Sequence, residues 1–582
     1  MNSIFTSEVD LNSPFKQHPN PYFERRDFMM LDGWWDFEVN QRESTEAYSK
    51  KIVVPFAPET PLSQIGMHIN ANDYMHYRKS FRIDPKYIGS KALLHFVAVD
   101  QECIVNFNGK KLGEHKGGYT SFSFVIDSVQ EDNVIEVVAR DDTDSEIYAR
   151  GKQSNDRGGI WYTPTSGIWG DVYIEFIPEA YIEDISIKSS WKDKKVVISA
   201  KNNLEKVVSC SISLQNVTIL NVSLNSDEPA EIDLSDHFVE WSPDAPNLYD
   251  VTFKLCDDQV QSHFGFRHLE GKEISGIRYL FLNNKPIFLS SLLDQGYWPD
   301  GGLTAPCEKA ISYDIDKIKE AGFNCLRKHI KIESMRWYYE CDTKGVLVIQ
   351  DLVNSGSKYS KFLINTRPFI NYDINDIDNK ILGRGNPDSM VRYETDMYST
   401  IKQLSSPTCI CIWTLFNEGW GQFRAKEMYQ KMKECVGDCL IDATSGWYDK
   451  GVGDFNSRHI YFRAPKPKTD HKRILSLSEF GGYSLPSDGH MFTAKTFGYA
   501  TYKDNSKLNN AIEKVYKRDL IKAIVKDGLS ISVYTQISDV EDEINGLMTY
   551  DRAIFKPGMS LIQECNSLLY KTYEETVKDK LK

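Results

Sequence analysis

Beyond Ile277 the chain changes rhythm. Apolar runs of strand length begin to alternate with stretches of helical period, which is how a parallel sheet with crossover helices reads. The runs are Ile287 to Leu292, Asn324 to Lys328, Val346 to Asp351, Cys409 to Phe416, Leu440 to Thr444, His459 to Phe462, Ile474 to Phe480 and Ile531 to Ile537. Helical stretches include Ile315 to Ala321, Ser334 to Lys344, Ser389 to Leu404, Ala425 to Cys435, Leu508 to Lys526 and Leu561 to Tyr573. Eight such units in about 300 residues predict a (β/α)8 TIM barrel, although a doubly wound α/β sheet carries the same alternation.

Upstream the period is two. Ile52 to Phe56, Tyr77 to Ile83, Ala92 to Val99, Cys103 to Phe107, Phe122 to Ile126, Val134 to Ala139 and Val172 to Phe176 alternate, with turns at Asn108-Gly109 and Gly117-Gly118. That pattern predicts an all-β jelly-roll sandwich. Its many aromatics, among them Trp34, Trp35, Tyr119, Trp161, Tyr162 and Trp169, fit a sandwich core and also fit stacking against a sugar. From Tyr181 to Phe266 the units shorten, as in Ile182 to Ile187, Lys195 to Ala200, Ser209 to Leu214, Val217 to Leu224 and Leu248 to Leu255, which suits an immunoglobulin-like β-sandwich. The expected domains are therefore 1–180, 181–270 and 271–582. A division is also required by length, since one hydrophobic core rarely outgrows roughly 250 to 300 residues.

Composition narrows the partners. With 41% hydrophobic and 12% aromatic residues the chain is globular, which excludes disorder and fibres. Its net charge of −13, without a Lys/Arg block, argues against nucleic acid and against an anionic membrane surface. No window reaches the ~20 apolar residues of a membrane span, and Met1 to Pro14 shows no leader pattern, so a cytoplasmic protein is expected. The 11 cysteines show no CxxC pair and no zinc spacing, so reduced thiols are expected; Cys409 with Cys411, and Cys435 with Cys439, read as buried pairs.

In a barrel, chemistry sits where strands end. Two strands finish in a carboxylate, one at Asn417-Glu418-Gly419 and the other at Glu479-Phe480-Gly481-Gly482. Glycoside hydrolysis needs such a pair, one to protonate the leaving oxygen and one to meet the anomeric carbon, about 5 to 5.5 Å apart when configuration is retained. Each glutamate alone also reads as a solvated strand cap. The other strand ends bring Asp294, Gln295, Arg327, His329, Asp351, Trp447, His459, Tyr461 and Tyr534, the mixture of hydrogen-bonding and aromatic groups that a sugar's polar edges and apolar faces require. Arg327 is placed to keep a nucleophile ionised, or else forms a structural ion pair. His329 and His459 do not read as a metal pair. The acidic run Asp539 to Glu543 reads as a solvated loop, with a cation or sugar hydroxyl as the other reading.

These residues resemble glycoside hydrolase family 2, and the resemblance spans nearly the whole chain. Tyr77-Arg78-Lys79-Ser80-Phe81, Val105 to Gly109, Gly117-Gly118-Tyr119 and Gly159-Ile160-Trp161 to Gly167-Ile168-Trp169 are similar to the family's sugar-binding jelly roll. Phe264-Gly265-Phe266-Arg267 is similar to the exit of its middle domain, Asn417-Glu418 to its acid/base motif and Ser478-Glu479-Phe480-Gly481 to its nucleophile motif. The resemblance implies a retaining exo-β-glycosidase working by double displacement. Glu479 would be nucleophile, Glu418 acid/base, Asn417 the partner of the sugar 2-hydroxyl and Arg327 the orienter of Glu479; no cofactor or metal is called for. The substrate expected is a carbohydrate or glycoside, and self-association as a homo-oligomer is in keeping with the family.

Within the family the default is β-galactosidase-like, with β-glucuronidase or another specificity as the alternative. The Asn-x-Lys pair expected of a glucuronidase after the eighth strand is absent from Asn545 to Arg552, where Arg552 is the cation that stands in its place. Tyr534 stands at the floor position where many relatives carry tryptophan, and Asp294 to Pro299 lacks the expected histidine. A transglycosidase would present the same residues. A non-catalytic carbohydrate-binding protein on this fold is the reading from another class, with the presence of both glutamates against it.

Overall fold

The computed structural model describes residues 1–45, 47–360, 374–377 and 380–582. The first sandwich packs a sheet of Phe28–Met30, Val172–Ile177, Lys91–Phe96 and Phe122–Ile126, in that order, on a sheet ordered Lys50–Val54, Gly33–Asn40, Tyr74–Arg82, Asp132–Arg140, Glu102–Phe107 and Lys110–Lys116. Alternate residues of both, such as Leu94, Ile174, Phe37, Tyr77 and Val137, meet in one core. Three of these strands, Phe28–Met30, Gly33–Asn40 and Lys110–Lys116, are absent from the sequence expectation. Lys110–Lys116 is a polar edge strand whose residues are exposed or half-buried, so it carries no apolar alternation to read.

A second sandwich packs Ile182–Ser190, Lys195–Asn202 and Ala230–Asp233 against Val217–Leu224, Val208–Leu214, Tyr249–Leu255 and Asp258–Phe264, around Ile198, Ile212, Phe253 and Val260. Its last strand opens with a buried Asp258, which pairs with Arg25 at 3.0 Å. Arg25 also donates to Glu175 Oε2 at 2.8 Å, so one guanidinium joins both sandwiches.

The barrel consists of β1 (Leu289–Asp294), β2 (Cys325–Lys328), β3 (Leu347–Asp351), β4 (Ile410–Thr414), β5 (Leu440–Asp442), β6 (Phe455–Ile460), β7 (Ile474–Gly481) and β8 (Leu529–Thr535). They form one parallel sheet in the order β5-β4-β3-β2-β1-β8-β7-β6. The ring is nearly closed. Between β5 and β6 a side chain helps bridge the gap, Ile441 N–H donating to Asp454 Oδ2 while Asp454 N–H donates to Ile441 O, both at 2.8 Å. Every strand overlaps a predicted run, and a doubly wound sheet is ruled out. β6 starts at Phe455 rather than His459, because its first half reads polar: Asn456 donates to Lys468 O, and Ser457 to Asp442.

Helices between the strands end where the sequence punctuates them. Met335–Lys344 stops at Gly345 and Ile521–Asp527 at Gly528, both with positive φ. Asn386 caps Pro387–Gln403, and Asp504 caps Asn505–Lys514. No helix among the described residues is long and apolar enough to cross a membrane.

Candidate active site

Strand alternation decides which predicted residues face the barrel axis. Arg327 on β2 is buried and points inward, where its guanidinium organises four neighbours. It donates to Asp351 Oδ1 at 3.0 Å, Asn417 Oδ1 at 2.8 Å, Glu479 Oε1 at 3.1 Å and Ser478 O at 3.0 Å. Asp351 takes its second bond from His329 Nδ1 at 2.8 Å. Burial pushes the Asp351 carboxyl up, but Arg327 and His329 overcome it and bring it down to about 2; burial brings the His329 imidazole down to about 3.

Beyond β4 the ladder continues for one bridge, Asn417 pairing with Ser445 while Glu418 N–H donates to Ser445 O at 2.9 Å. Glu418 then turns with φ +52° and Gly419 with φ +74°; a Cβ on residue 419 would lie 2.2 Å from the Tyr448 ring, so only glycine fits. This turn aims Glu418 at Glu479 on β7. One oxygen of each carboxylate and one nitrogen of His459 lie within 4.8 Å of one another.

Each carboxylate has its own donors. Glu479 Oε2 accepts from Tyr461 Oη at 2.6 Å, and Tyr461 is held in turn by Thr535 Oγ1 at 2.7 Å. Glu418 Oε1 lies 2.7 Å from His459 Nδ1. Ser445 Oγ at 3.2 Å and Arg327 Nη1 at 3.5 Å both face His459 Nε2, which makes that nitrogen the acceptor and Nδ1–H the donor to Glu418. Burial lowers His459 to about 4, so the ring works neutral. Burial also pushes Glu418 up to about 7 against the pull of Lys152 and Arg327. Glu479 is raised by burial too, with Glu418 adding to the rise and His459, Arg327 and Tyr461 opposing it.

A cavity of about 640 Å3 opens above these groups, walled by Glu418, Trp447, His459 and Tyr461 from the barrel and by Trp161 from the first sandwich. Tyr499 stacks on Tyr461 at 3.7 Å between centroids, and Trp161 lies 5.3 Å from Trp420. Beside Glu418, Asn417 Nδ2 is a buried donor with no partner among the described residues. Glu418, His459 and Glu479 form the one group among the described residues with metal-ligand spacing. Their lone pairs face Arg327, Tyr461 and His459 donors instead, an arrangement suited to acid/base and nucleophilic work.

Three predicted residues stand outside this network. Asp294 is buried against Lys328 at 2.7 Å and the Gly296 N–H at 2.8 Å. Gln295 is buried without a bond to the network, its amide atoms unpartnered. Tyr534 follows the inward-facing Val533 and so points to the helix side, 5.5 Å from Phe480 and 6.4 Å from Tyr516; it is no floor. Arg552 bonds Asp314 at 2.9 Å and stacks on Trp298, which engages the cation away from the mouth. The acidic run is buried rather than solvated: Asp539 pairs with Lys556 at 2.7 Å, Glu541 with Arg157 at 2.9 Å and Glu543 with Tyr162. Sequence reading missed Ser445, Thr535 and Tyr499, whose roles lie in partners distant in sequence, and gave Trp161 mainly to the core.

Residues 180–267 match the family Glycosyl hydrolases family 2. A β-galactosidase of Thermoanaerobacter pseudethanolicus is 26% identical over 301 residues, covering 47% of this chain and 39% of that protein, so the matched part is well under half of the relative. Among solved structures, the GH2 β-galacturonidase of Eisenbergiella tayi bound to galacturonate superposes with a TM-score of 0.69 at 17% identity, covering 94% of this chain and 98% of the other. The β-D-glucuronidase of Dictyoglomus thermophilum gives 0.72 at 16% identity, covering 95% and 98%. The fold is thus shared end to end.

Proposed function

We propose, on the premise that this chain belongs to glycoside hydrolase family 2, that it is a retaining exo-β-glycosidase that removes a terminal β-linked sugar. The observation that carries the reading is the facing pair Glu418 and Glu479, with atoms within 4.8 Å, at the mouth of the barrel. A Glu479 oxygen attacks the anomeric carbon while the bond to the aglycone oxygen breaks and Glu418 gives that oxygen its proton. In the second step Glu418 takes a proton from water, the water oxygen bonds the anomeric carbon, and the ester to Glu479 breaks. Once esterified, Glu479 no longer repels a charge on Glu418, so the acid of the first step becomes the base of the second. Asn417 Nδ2 is the donor for the sugar 2-hydroxyl, and Arg327 and Tyr461 hold the nucleophile in line.

The relatives' names span neutral and acidic sugars, so the reference substrate is a β-galactoside and the alternative a β-uronide. Hydrolysis of p-nitrophenyl β-glycosides by the wild type, Glu418→Gln and Glu479→Gln tests the assignment. Each substitution is expected to lower kcat by about 10^3-fold. Proton NMR of the fresh product should show the β-anomer first. Activity within tenfold of wild type in both variants, or an α-anomer first, overturns the mechanism.

A further inference from the structure

Six arginines are buried among the described residues: Arg25, Arg150, Arg327, Arg336, Arg384 and Arg552. Four of them bond carboxylates at 2.8 to 3.0 Å, Arg25 on Glu175, Arg327 on Asp351, Arg336 on Asp171 and Arg552 on Asp314. Arg384 bonds Gly421 O, Ser355 Oγ and Ser389 O at 2.7 to 2.9 Å. Arg150 differs. It is 6% exposed, yet among the described residues no carboxylate lies within ion-pair distance of it, and its guanidinium makes one long contact, 3.5 Å to Ser357 O. A cation buried with so few acceptors is costly to desolvate, and an anionic ligand is what offsets that cost.

Arg150 is fixed from several sides. Its N–H donates to Asn354 O at 3.0 Å, its carbonyl accepts from Tyr119 Oη at 3.2 Å, and its guanidinium lies 5.4 Å from the centroid of the Tyr359 ring. Tyr359 is held in turn, donating to Ser355 O at 2.8 Å and accepting from Asn354 Nδ2 at 3.0 Å. The side chain so placed lines the cavity of about 640 Å3. Among the described residues that wall takes in the acid/base Glu418 but neither the nucleophile Glu479 nor Asn417. In a double displacement the acid/base stands beside the leaving oxygen and the nucleophile on the opposite face of the anomeric carbon, so this space lies on the aglycone side. Two other cations of the wall are engaged, Arg157 by Glu541 at 2.9 Å and Lys358 by Asp156 at 3.1 Å. Arg463 is exposed and has no ion pair among the described residues; Asp144, also exposed, is the wall's one carboxylate beyond Glu418 and Asp156.

From this geometry we infer that the cavity is a subsite for an aglycone bearing an oxyanion, a carboxylate or a sulfate ester, which Arg150 grips while Arg463 adds a second positive charge at the wall. This rests on the glycosidase reading above and goes beyond it by assigning the charge of the leaving group, whatever the glycone. The planar guanidinium offers two parallel N–H donors that fit either anion, and charge-assisted bonds of that kind are among the stronger ones. The body of the aglycone has Trp161 and Phe462 to lie against. Phe462 is 62% exposed and holds a φ of +60°, a conformation that bulky side chains rarely adopt and that clusters at ligand sites.

The test is calorimetric binding of two matched pairs of sulfur-linked, uncleaved analogues, with the glycone fixed as galactose or as the sugar that the p-nitrophenyl panel selects. One pair is the 4-carboxyphenyl thioglycoside and its methyl ester; the other is the glycone thio-linked to O4-position glucuronate and to glucose. The first puts the anion on an aryl aglycone and the second on a sugar, so the pair that responds names the source. In the wild type the anionic member of at least one pair should bind about fivefold or more tighter than its neutral mate. That ratio should fall to near one in Arg150→Met and recover partly in Arg150→Lys; Arg150→Gln repeats the measurement if the methionine variant does not fold. Arg463→Met should lower the ratio by a smaller factor, and an unchanged ratio there removes Arg463 from the subsite. Smaller ratios in both pairs with the wild type, or a ratio unchanged in both uncharged Arg150 variants, overturn the inference. Hydrolysis of the oxygen-linked compounds runs in parallel: an anion preference lost on substitution, without cleavage of any glycoside, removes the hydrolase reading and leaves the anion subsite standing.

Discussion

Glu418 illustrates how one residue receives its chemistry from placement. A left-handed turn next to an obligatory glycine carries it off the strand into a dry cavity, and burial, only partly opposed by Lys152 and Arg327, raises its carboxyl to about 7. The acid must hold its proton to act, so kcat/KM on a neutral glycoside is expected to fall as pH rises through about 7. Lys152 pulls that value down, and Lys152→Met should therefore move the limb to higher pH. A pH-rate profile of both proteins checks the sign; a limb that stays in place separates Lys152 from Glu418. At this scale the sequence was informative wherever a polar residue closed an apolar run, as with Glu418, Glu479, Arg327 and Asn417. It was silent on Ser445 and Thr535, which matter only through the partners that folding brings to them.

The loop after β8 shows what an element adds. Asp539 to Glu543 resembles a solvated acidic run, yet each charge meets a group far away in sequence, and the run clasps the sandwich segment 157–163 onto the barrel. Lys556 is fully enclosed with Asp539, and Lys556→Met would leave that carboxylate buried without its counter-ion. The expected loss is roughly 3 to 5 kcal/mol, read from denaturant unfolding, with Asp539→Asn in the same background restoring part of it. Apolar rhythm made all eight barrel strands legible, but it could not say which side of a strand a residue takes once the strand is apolar on both. Tyr534 was misplaced for that reason. Asp258–Phe264 escaped notice because its first residue is a buried acid whose partner, Arg25, lies in another domain.

At the scale of the molecule, buried acids tie stability to pH. Glu59 is half-buried with its Oε1 shut off from solvent and its Oε2 bonded by Ser166 N–H at 3.2 Å, and desolvation lifts it to about 8; Asp141 nearby is lifted to about 6. An acid raised on folding holds its proton in the native state after the unfolded chain has lost it. Its contribution is therefore complete below the unfolded value near 4.5 and is lost as pH climbs to about 8, on the order of 4 kcal/mol for Glu59. Unfolding measured from pH 5 to 8 should show stability declining, and Glu59→Gln should flatten the slope. A slope unchanged by the substitution assigns the decline to other groups. The residue that reading strand by strand could not reach is Trp161, which the first sandwich lends to the cavity, because only the assembled molecule brings it to the wall that Glu418 shares. The clasp has a further consequence in time. During synthesis the sandwich emerges first and Glu418 later, and the acidic run that draws them together follows both. A nascent chain stalled before residue 539 would carry both glutamates without the clasp that holds the sandwich over them, so the cavity is completed only after its carboxylates have been made.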